Sequence, residues 1–493
     1  MKLALINTPS LHSYGKIRTG HNCSFPLGLG YIASYVRQKG HEVRIFDPEP
    51  YRQSVPQLLR ALHEFKPDLV GLTCVTPNFM LACDLVRSIK ALHSCIVIVG
   101  GVHVNALPRS TLAALPELDA IIFGEGEIPV LEIAEEFDRK GRVDFNKIHN
   151  SAFISKQTVS YYESERIDYI NNLDILPYPA RDLVDLSLYR LHPQFSRGVK
   201  SATILSSRGC PSKCTFCANI CTGRKFRPNS PEYFVQELGH LVKEYNIRHF
   251  HVVDDCFTAN SKRVEAICDL ILQKHLKISW FIFGRVNQLL DEQIIKKMKM
   301  AGCVNVLLGI ETGDQEINRQ MKKGTTLEMA EKSCSLLRSN RIQYLNSFMI
   351  GNESDTRQTV EKTIQFAIKL KSTMVGFNML IPFPGTALFR KYYSDFDSPG
   401  TNWNNWCAVA DELPFEPRHT TLSKSEIMRL TSHAYWRFYM RPAQLLRILG
   451  SCTNFGTLIS FLKGSIGLFR QTVSWAVQSH SKWLFFKQGK KGS

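Results

Sequence analysis

Two successive series of short apolar segments alternate with segments of helical periodicity, and this alternation restricts the fold more than any other feature. In the first series each apolar segment ends in a glycine or a polar loop. Strands that are apolar on both faces are typical of a parallel sheet covered by helices. The predicted strands are Leu3–Asn7, Glu42–Phe46, Leu69–Cys74, Ile96–Val99 and Ala120–Phe123, and the predicted helices are Leu27–Lys39, Val55–Phe65 and Phe79–Leu92. Residues 1–141 are therefore predicted to form a doubly wound, Rossmann-like α/β domain.

The loops after these strands are the expected binding edge of the first domain. Ligands of doubly wound sheets lie outside the carboxyl ends of the strands, and glycines let the backbone approach a large ligand closely. The candidate binding residues at these ends are Thr8, Pro9, Thr73, Thr76, Gly100, Gly101, His103, Gly124, Glu125, Gly126 and Glu127.

A second series begins at residue 201, after a proline-rich stretch at 173–182. Its predicted strands are Ala202–Ser206, His249–Val253, Ser279–Phe283, Val304–Gly309, Gln343–Ile350 and Gly376–Ile381, with helices such as Glu232–Tyr245 and Ser261–Lys274 between them. Six such units favour a partial (β/α)6 TIM-type barrel over a closed barrel of eight. We expect a linker at 142–200, the barrel at 201–390 and a mostly helical, basic extension at 391–493.

Three cysteines follow the first strand of the second series with the spacing C-x3-C-x2-C, at Cys210, Cys214 and Cys217. Three thiolates on one short loop suit a [4Fe–4S] cluster whose fourth iron stays open to a substrate. Structural zinc is the alternative; it usually takes four ligands, and Cys221 is the candidate fourth. The other cysteines are scattered and are expected to be small buried side chains.

The apolar stretch at the N-terminus is too short for a signal peptide, and no run approaches the ~20 apolar residues that span a bilayer. A cytoplasmic location is therefore expected, where clustered cysteines bind metal more often than they form disulfides.

The net charge of +17 is concentrated near the C-terminus, because residues 421–493 contain eleven Lys or Arg and one acid, Glu426. Two interpretations stay open. The tail is either a helical cap with solvated basic side chains or a surface for peripheral contact with a membrane or an acidic partner. Membrane contact would involve two segments that are sufficiently apolar, Phe461–Phe469 and Trp475–Phe486.

Several ordered motifs resemble those of the cobalamin-binding branch of the radical S-adenosylmethionine (SAM) superfamily. Phe216 before the last cysteine completes the signature Cx3CxΦC. The segments that resemble barrel motifs of this branch are Val253-Asp-Asp-Cys-Phe257, Leu308-Gly-Ile-Glu-Thr-Gly313, Phe348-Met-Ile-Gly351 and Pro382-Phe-Pro-Gly-Thr386. The segments that resemble its cobalamin-binding domain are Pro26-Leu-Gly-Leu-Gly30, Gly100-Gly-Val-His103 and Gly124-Glu-Gly-Glu127.

The resemblance implies a [4Fe–4S] cluster on the three cysteines, SAM on its open iron, and a 5′-deoxyadenosyl radical that removes hydrogen from a small-molecule substrate. It also implies an electron donor such as flavodoxin or ferredoxin. By motif position, Asp254 or Asp255 accepts from the SAM ammonium, Arg285 pairs with its carboxylate and Glu311 bonds the ribose. Phe216, Ile350 and Gly351 complete the implied SAM contacts, the last two beside adenine.

Cobalamin is expected to bind with its base detached and without a histidine on cobalt. The mutase-type motif is D-x-H-x-x-G, whereas Asp47-Pro-Glu49 has glutamate in place of histidine. His103 is then either a loop residue that bonds backbone or a contact to a corrin amide.

Methyl transfer to a carbon, or to phosphorus, of a small metabolite, lipid or tetrapyrrole is the leading function that the resemblance implies. The runner-up is oxidation or rearrangement without methyl transfer, because Tyr435-Trp-Arg-Phe-Tyr-Met-Arg-Pro442 resembles a stretch of the anaerobic magnesium-protoporphyrin monomethyl ester oxidative cyclases. A cobalamin or cluster carrier is the non-enzyme alternative.

A further alternative, tRNA methylthiolation, requires three more cluster cysteines in the first domain. Cys23, Cys74, Cys83 and Cys95 are available there, but Cys83 lies within a predicted helix. The tail lacks an RNA-binding β-barrel pattern, and no nucleic-acid partner is expected.

Overall fold

The computed structural model describes residues 1–10, 23–155, 158–164, 168–191, 199–407 and 412–451. The predicted membrane-contact segments Phe461–Phe469 and Trp475–Phe486 lie outside these residues. Within the described ranges, no helix is both long enough and apolar enough to cross a bilayer.

The first domain is built on a seven-stranded sheet of order β2-β1-β3-β4-β5-β6-β7. Its strands are β1 Lys2–Asn7, β2 Glu42–Phe46, β3 Leu69–Thr73, β4 Ile96–Gly100, β5 Ala120–Ile122, β6 Ser151–Ile154 and β7 Tyr161–Glu163. The first five are parallel. The order reverses between β1 and β3, which is where doubly wound sheets form a ligand crevice. The predicted doubly wound domain is confirmed.

The last two strands of this sheet come from the segment that the sequence assigned to a linker. β6 pairs antiparallel with β5, and β7 pairs antiparallel with β6. Both strands are short and β7 is partly exposed, so the hydrophobic pattern of 142–200 is weak although the sheet reaches residue 163.

The second domain is an open half-barrel of six parallel strands in the order β15-β14-β13-β12-β11-β8. These strands are β8 Ser201–Ile204, β11 His249–Val252, β12 Ser279–Gly284, β13 Cys303–Glu311, β14 Gln343–Ile350 and β15 Met374–Met379. Each strand pairs with the next along the chain, which confirms the predicted partial barrel. A separate antiparallel ribbon of β9 Ser207–Arg208 and β10 Arg227–Pro228 stands between β8 and the first barrel helix.

Helices cover both sheets. They are α1 Leu27–Arg37, α2 Val55–Phe65, α3 Phe79–Leu92, α4 Val102–Ala106, α5 Pro108–Ala114, α6 Glu127–Lys140, α7 Pro231–Tyr245, α8 Ser261–Gln273, α9 Glu292–Met300, α10 Gln315–Gln320, α11 Leu327–Ser339, α12 Arg357–Lys369, α13 Ala387–Tyr392, α14 Lys424–Tyr439 and α15 Pro442–Ser451. Cys83 lies in the middle of α3, as expected.

The C-terminal extension covers the β15 edge of the half-barrel. The backbone N–H groups of Val375 and Phe377 on β15 donate to the hydroxyls of Tyr439 and Tyr435 on α14, at 3.0 and 3.1 Å. The Tyr439 hydroxyl also donates to the Val375 carbonyl at 2.7 Å. Two tyrosines thereby occupy backbone groups that a neighbouring strand would otherwise pair.

Candidate functional site

The cysteine loop closes on the β9–β10 ribbon. Arg208 at the end of β9 and Arg227 at the start of β10 are partners in the strand register. The two ends of the loop 209–226 therefore lie side by side. Gly209 has φ +84°, and a Cβ there would overlap the carbonyl oxygen of Lys225. Only glycine permits this closure.

Two further elements hold the middle of the loop. The Thr215 N–H donates to the carbonyl of Met321 at 3.0 Å, and the Leu388 N–H donates to the carbonyl of Thr215 at 3.2 Å. The loop is therefore attached to the segments after the fourth and sixth barrel strands. The three thiols lie at the carboxyl ends of the barrel strands, where catalytic residues of such barrels are placed.

The donor set suits an iron–sulfur cluster. Cys214 is buried, Cys210 is partly buried and Cys217 is exposed. Hydrogen bonds from Cys256 and Ser212, with the nearby Arg285 guanidinium, lower the pKa of Cys210 and favour the thiolate that binds metal.

In the described part of the chain, no three His, Cys, Asp or Glu side chains converge on a position for one metal ion. In a cubane, each thiolate ligates an iron of its own, so its ligands need not converge in that way.

Four predicted site residues meet beside the loop. Nη1 of Arg285 lies 3.9 Å from the Cys214 sulfur, and Nη2 of the same guanidinium donates to the carbonyl of Lys323. The Lys323 ammonium pairs with the Glu311 carboxylate and lies 5.9 Å from the centre of the Phe216 ring. Glu311 follows an irregularity in β13 and has φ +75°. Lys323 is a site residue that the sequence does not predict, because no motif marks it.

The two candidate aspartates after β11 differ in their surroundings. Asp254 is 1% exposed and accepts hydrogen bonds from the Ser206 backbone N–H and from the hydroxyls of Ser206 and Ser207, at 2.5 to 2.6 Å. Burial raises its pKa. Asp255 is exposed and accepts from Thr222 at 2.7 Å and from the Gly209 N–H at 3.2 Å. Asp255 is thus the better placed of the two to meet a ligand ammonium.

The fifth-strand candidates Ile350 and Gly351 are engaged within the protein. Ile350 is fully buried in the core between sheet and helices. The Gly351 N–H donates to Asp355 at 3.0 Å, and its carbonyl lies 2.8 Å from Nε2 of His419.

The carboxyl edge of the first sheet brings the other candidates together. The strand register places Asn7 beside Thr73 and Thr73 beside Gly100, so Thr8 and Pro9 lie at the same edge. Asn78 donates to the Thr8 carbonyl and accepts from the Val75 N–H, both at 2.8 Å.

Two glycine loops at this edge are joined by a side chain that the motifs did not reveal. Asn105 donates to the carbonyl of Gly101 and accepts from the N–H of Gly124, at 2.8 and 2.7 Å. Gly101 has φ +113°, and a Cβ would overlap the Cys74 carbonyl oxygen. The close approach of the Cys74 backbone therefore requires glycine at position 101.

His103 is enclosed at this edge. It is 1% exposed, and its Nδ1 lies 3.2 Å from the Thr76 hydroxyl. Its ring lies 4.0 Å from that of Phe79 and 5.1 Å from that of Trp403, which comes from the C-terminal extension. Burial lowers the pKa of His103 to about 3, so it is neutral at pH 7.

Glu125 and Glu127 face the barrel. Arg208 lies 3.1 Å from Glu125 and 2.6 Å from Glu127, and Arg227 lies 2.8 Å from Glu125. All four side chains are buried. Both carboxylates join the first domain to the base of the cysteine loop, and their predicted contact with the cofactor stays a prediction. Gly126, between them, is packed against Ile32.

Comparison with known proteins agrees with this geometry. Residues 17–134 match the B12 binding domain, and residues 204–367 match the radical SAM superfamily. An uncharacterized methyltransferase of Pyrococcus horikoshii is 31% identical over 451 residues, which cover 91% of this chain and 94% of the relative. The chain belongs to the cobalamin-binding radical SAM enzymes.

One further relative and one solved structure are also similar to this chain. The anaerobic magnesium-protoporphyrin IX monomethyl ester cyclase of Rubrivivax gelatinosus is 29% identical, over 89% of this chain and 77% of the relative. The solved structure of the cobalamin-dependent SAM radical enzyme OxsB with aqua-cobalamin has a TM-score of 0.72 at 17% identity, over 95% of this chain and 72% of that chain. The predicted use of cobalamin, SAM and a [4Fe–4S] cluster by this radical SAM enzyme is confirmed.

Proposed function

We propose that this enzyme methylates an unactivated carbon, or phosphorus, of a small metabolite, lipid or tetrapyrrole. The observation that carries the proposal is the direct bonding between the two cofactor regions. The base of the cysteine loop, at Arg208 and Arg227, contacts the first domain through Glu125 and Glu127. The similarity to the uncharacterized methyltransferase of Pyrococcus horikoshii supports methyl transfer.

In this proposal Cys210, Cys214 and Cys217 hold the cluster, and the nearby polar side chains bind SAM. When bound, the cluster and SAM supply a 5′-deoxyadenosyl radical, and cobalamin supplies the methyl group. Asp255 accepts from the SAM ammonium, and Arg285 binds its carboxylate. Glu311 accepts from the ribose, while Lys323 offsets its charge in a buried setting.

The first domain binds cobalamin over the backbone edge at Gly100, Gly101 and Gly124. Thr8, Pro9, Thr73 and Thr76 border the same crevice. His103 stays off the cobalt in this proposal, because Thr76, Phe79 and Trp403 enclose its ring.

A radical oxidation without methyl transfer is the second candidate. The similarity to the Rubrivivax cyclase supports it. The stretch 435–442, which resembles that of the cyclases, covers the edge of β15 through Tyr435 and Tyr439. A structural role of this kind suits both activities, so the stretch does not favour the cyclase.

Product analysis separates the two candidates. The protein is reconstituted anaerobically with iron, sulfide and cobalamin, and its ultraviolet–visible spectrum is recorded. SAM and a one-electron donor such as reduced flavodoxin or ferredoxin are then added. Methyl transfer is expected to produce 5′-deoxyadenosine together with S-adenosylhomocysteine. Deoxyadenosine alone would support oxidation or rearrangement. The absence of both products would contradict both candidate functions.

Peripheral membrane contact through the basic tail remains part of this proposal. Co-sedimentation with anionic liposomes at low and high salt tests it. Binding that disappears after deletion of residues 455–493, while SAM cleavage persists, would support it. Failure to bind at either salt concentration would remove it.

A further inference from the structure

The two faces of the barrel sheet have different surroundings. Val252, Ile282 and Val306 belong to one buried core with the helix residues Ile267 and Met298. Successive side chains of a strand point to opposite faces. The residues that alternate with these core residues on each strand therefore point into the lumen. Two of these, Phe281 and Leu345, are buried but lie outside that core, as inward side chains should.

One wall of the lumen is aromatic. The ring of His251 on β11 stacks on Phe281 of β12 at 4.4 Å with an interplanar angle of 30°. Phe283, two residues further along β12, lies 4.9 Å from His251 and 5.7 Å from Phe281. Phe281 is fully buried, whereas Phe283 is 36% exposed. The wall is therefore closed at Phe281, whereas the Phe283 ring, nearer the carboxyl ends of the strands, is open.

The wall formed by β14 and β15 has two small residues side by side. Gly376 on β15 lies beside Ser347 on β14. A Cβ at Gly376 would find only the amide nitrogen of Asn378 within 4 Å, at 3.8 Å. Asn378 donates to the Ser347 hydroxyl at 3.2 Å. This wall therefore leaves open space at Gly376 and offers one polar pair.

The lumen is uncharged below its rim. Along the six described strands, no inward position before Glu311 carries Asp, Glu, Lys or Arg. Burial lowers the pKa of His251 to about 4, so this ring is neutral at pH 7. The first charged groups are Arg285 and the Glu311–Lys323 pair at the rim. Placing an unpaired charge in such a space is costly.

We infer that the lumen binds a flat, uncharged ring system of the methyl acceptor. The ring lies between Phe283 and the wall at Gly376, and a single polar substituent reaches Ser347 and Asn378. Charged parts of the substrate stay outside, at the rim. This inference rests on the proposed function and specifies the substrate class of the same site.

Equilibrium dialysis of the reconstituted holoenzyme against indole and against indole-3-acetate tests the inference. The two probes share a flat ring and differ in charge. Wild type should bind indole at least tenfold more tightly than indole-3-acetate. Gly376→Leu should weaken indole binding at least tenfold, because the new side chain fills the open space beside Ser347 and Asn378.

Gly239→Leu is the matched control. Gly239 lies on α7, and a Cβ there has nothing within 4 Å, so indole binding should not change. Equal indole binding by all three proteins, absence of indole binding to wild type, or tighter binding of the carboxylate would overturn the inference. If Gly376→Leu does not fold, Phe283→Ala serves in its place, with the same tenfold loss expected.

SAM cleavage is measured on the same samples. Wild type that cleaves SAM but shows no preference for indole would contradict the lumen assignment alone. Wild type that binds indole as expected but forms no S-adenosylhomocysteine would contradict the methyltransferase proposal alone.

Discussion

Arg208 of the cysteine-loop base donates to the Glu127 carboxylate of the first domain across 2.6 Å, and both side chains are buried. The Glu127 and Glu125 charges raise the pKa of Arg208. Arg208 precedes Cys210 by two residues, and Glu127 begins α6 at the carboxyl edge of the first sheet. This pair therefore fixes the base of the cysteine loop against the first domain.

Removing one member of this pair should destabilise the protein strongly. Arg208→Ala leaves two buried carboxylates with one arginine, and breaking a buried pair costs about 3–5 kcal/mol. Chemical denaturation should show that loss. Arg319→Ala, which removes an exposed pair with Glu316, should change stability little. Similar losses in both variants would contradict the assigned role of Arg208.

The three cysteines of the motif should be required for the cluster. Replacing Cys210, Cys214 or Cys217 by alanine is expected to abolish iron loading and SAM cleavage, because three thiolates leave one iron open. Cys221→Ala should retain both. Iron and sulfide analysis after reconstitution measures the loading. Loss of iron in Cys221→Ala together with a loaded Cys214→Ala protein would refute the motif assignment.

The enclosed ring of His103 should leave cobalt without a protein nitrogen. The Co(II) state is expected to show no hyperfine coupling from a histidine in electron paramagnetic resonance spectra. The same spectrum is expected from His103→Gln. A coupling in wild type that disappears in the variant would refute this assignment.

Much of the fold was predictable because local pattern determines it. The strand Leu3–Asn7 and the helix Val55–Phe65 follow from apolar runs and periodicity, and spacing alone marks Cys210, Cys214 and Cys217. Contacts between distant segments were not predictable. Lys323 lies 12 residues beyond Glu311 without a motif, and Trp403 reaches His103 from the extension.

The resemblance also placed Glu125 and Glu127 beside the cofactor, whereas packing against the barrel arginines engages both carboxylates. The sequence identifies such residues as candidates, but it does not determine which of two neighbouring surfaces their side chains face. The short strand Tyr161–Glu163 was missed for a related reason, since its pairing partner rather than its own apolar content places it in the sheet.

The pKa of His103 predicts a pH dependence of stability. Burial lowers it to about 3 in the folded state, whereas an unfolded histidine has a pKa near ~6.5. The unfolded state then binds more protons, so the contribution is complete above pH ~6.5 and decreases as the pH falls toward the folded value. Between pH 7 and pH 4, wild type should lose more free energy of unfolding than His103→Gln. Parallel curves would contradict this.

Tyr439 should stabilise the barrel edge without affecting the chemistry. Its hydroxyl accepts from the Val375 N–H and donates to the Val375 carbonyl, and burial raises its pKa. Tyr439→Phe leaves two backbone groups of β15 without these bonds, and each unsatisfied buried group costs about 1–3 kcal/mol. The free energy of unfolding should fall accordingly, while cluster loading and SAM cleavage per loaded cluster stay unchanged. Tyr162→Phe, at a side chain that is 40% exposed, is the control and should leave stability unaltered. A loss of SAM cleavage in Tyr439→Phe without loss of stability would instead place this tyrosine in the reaction.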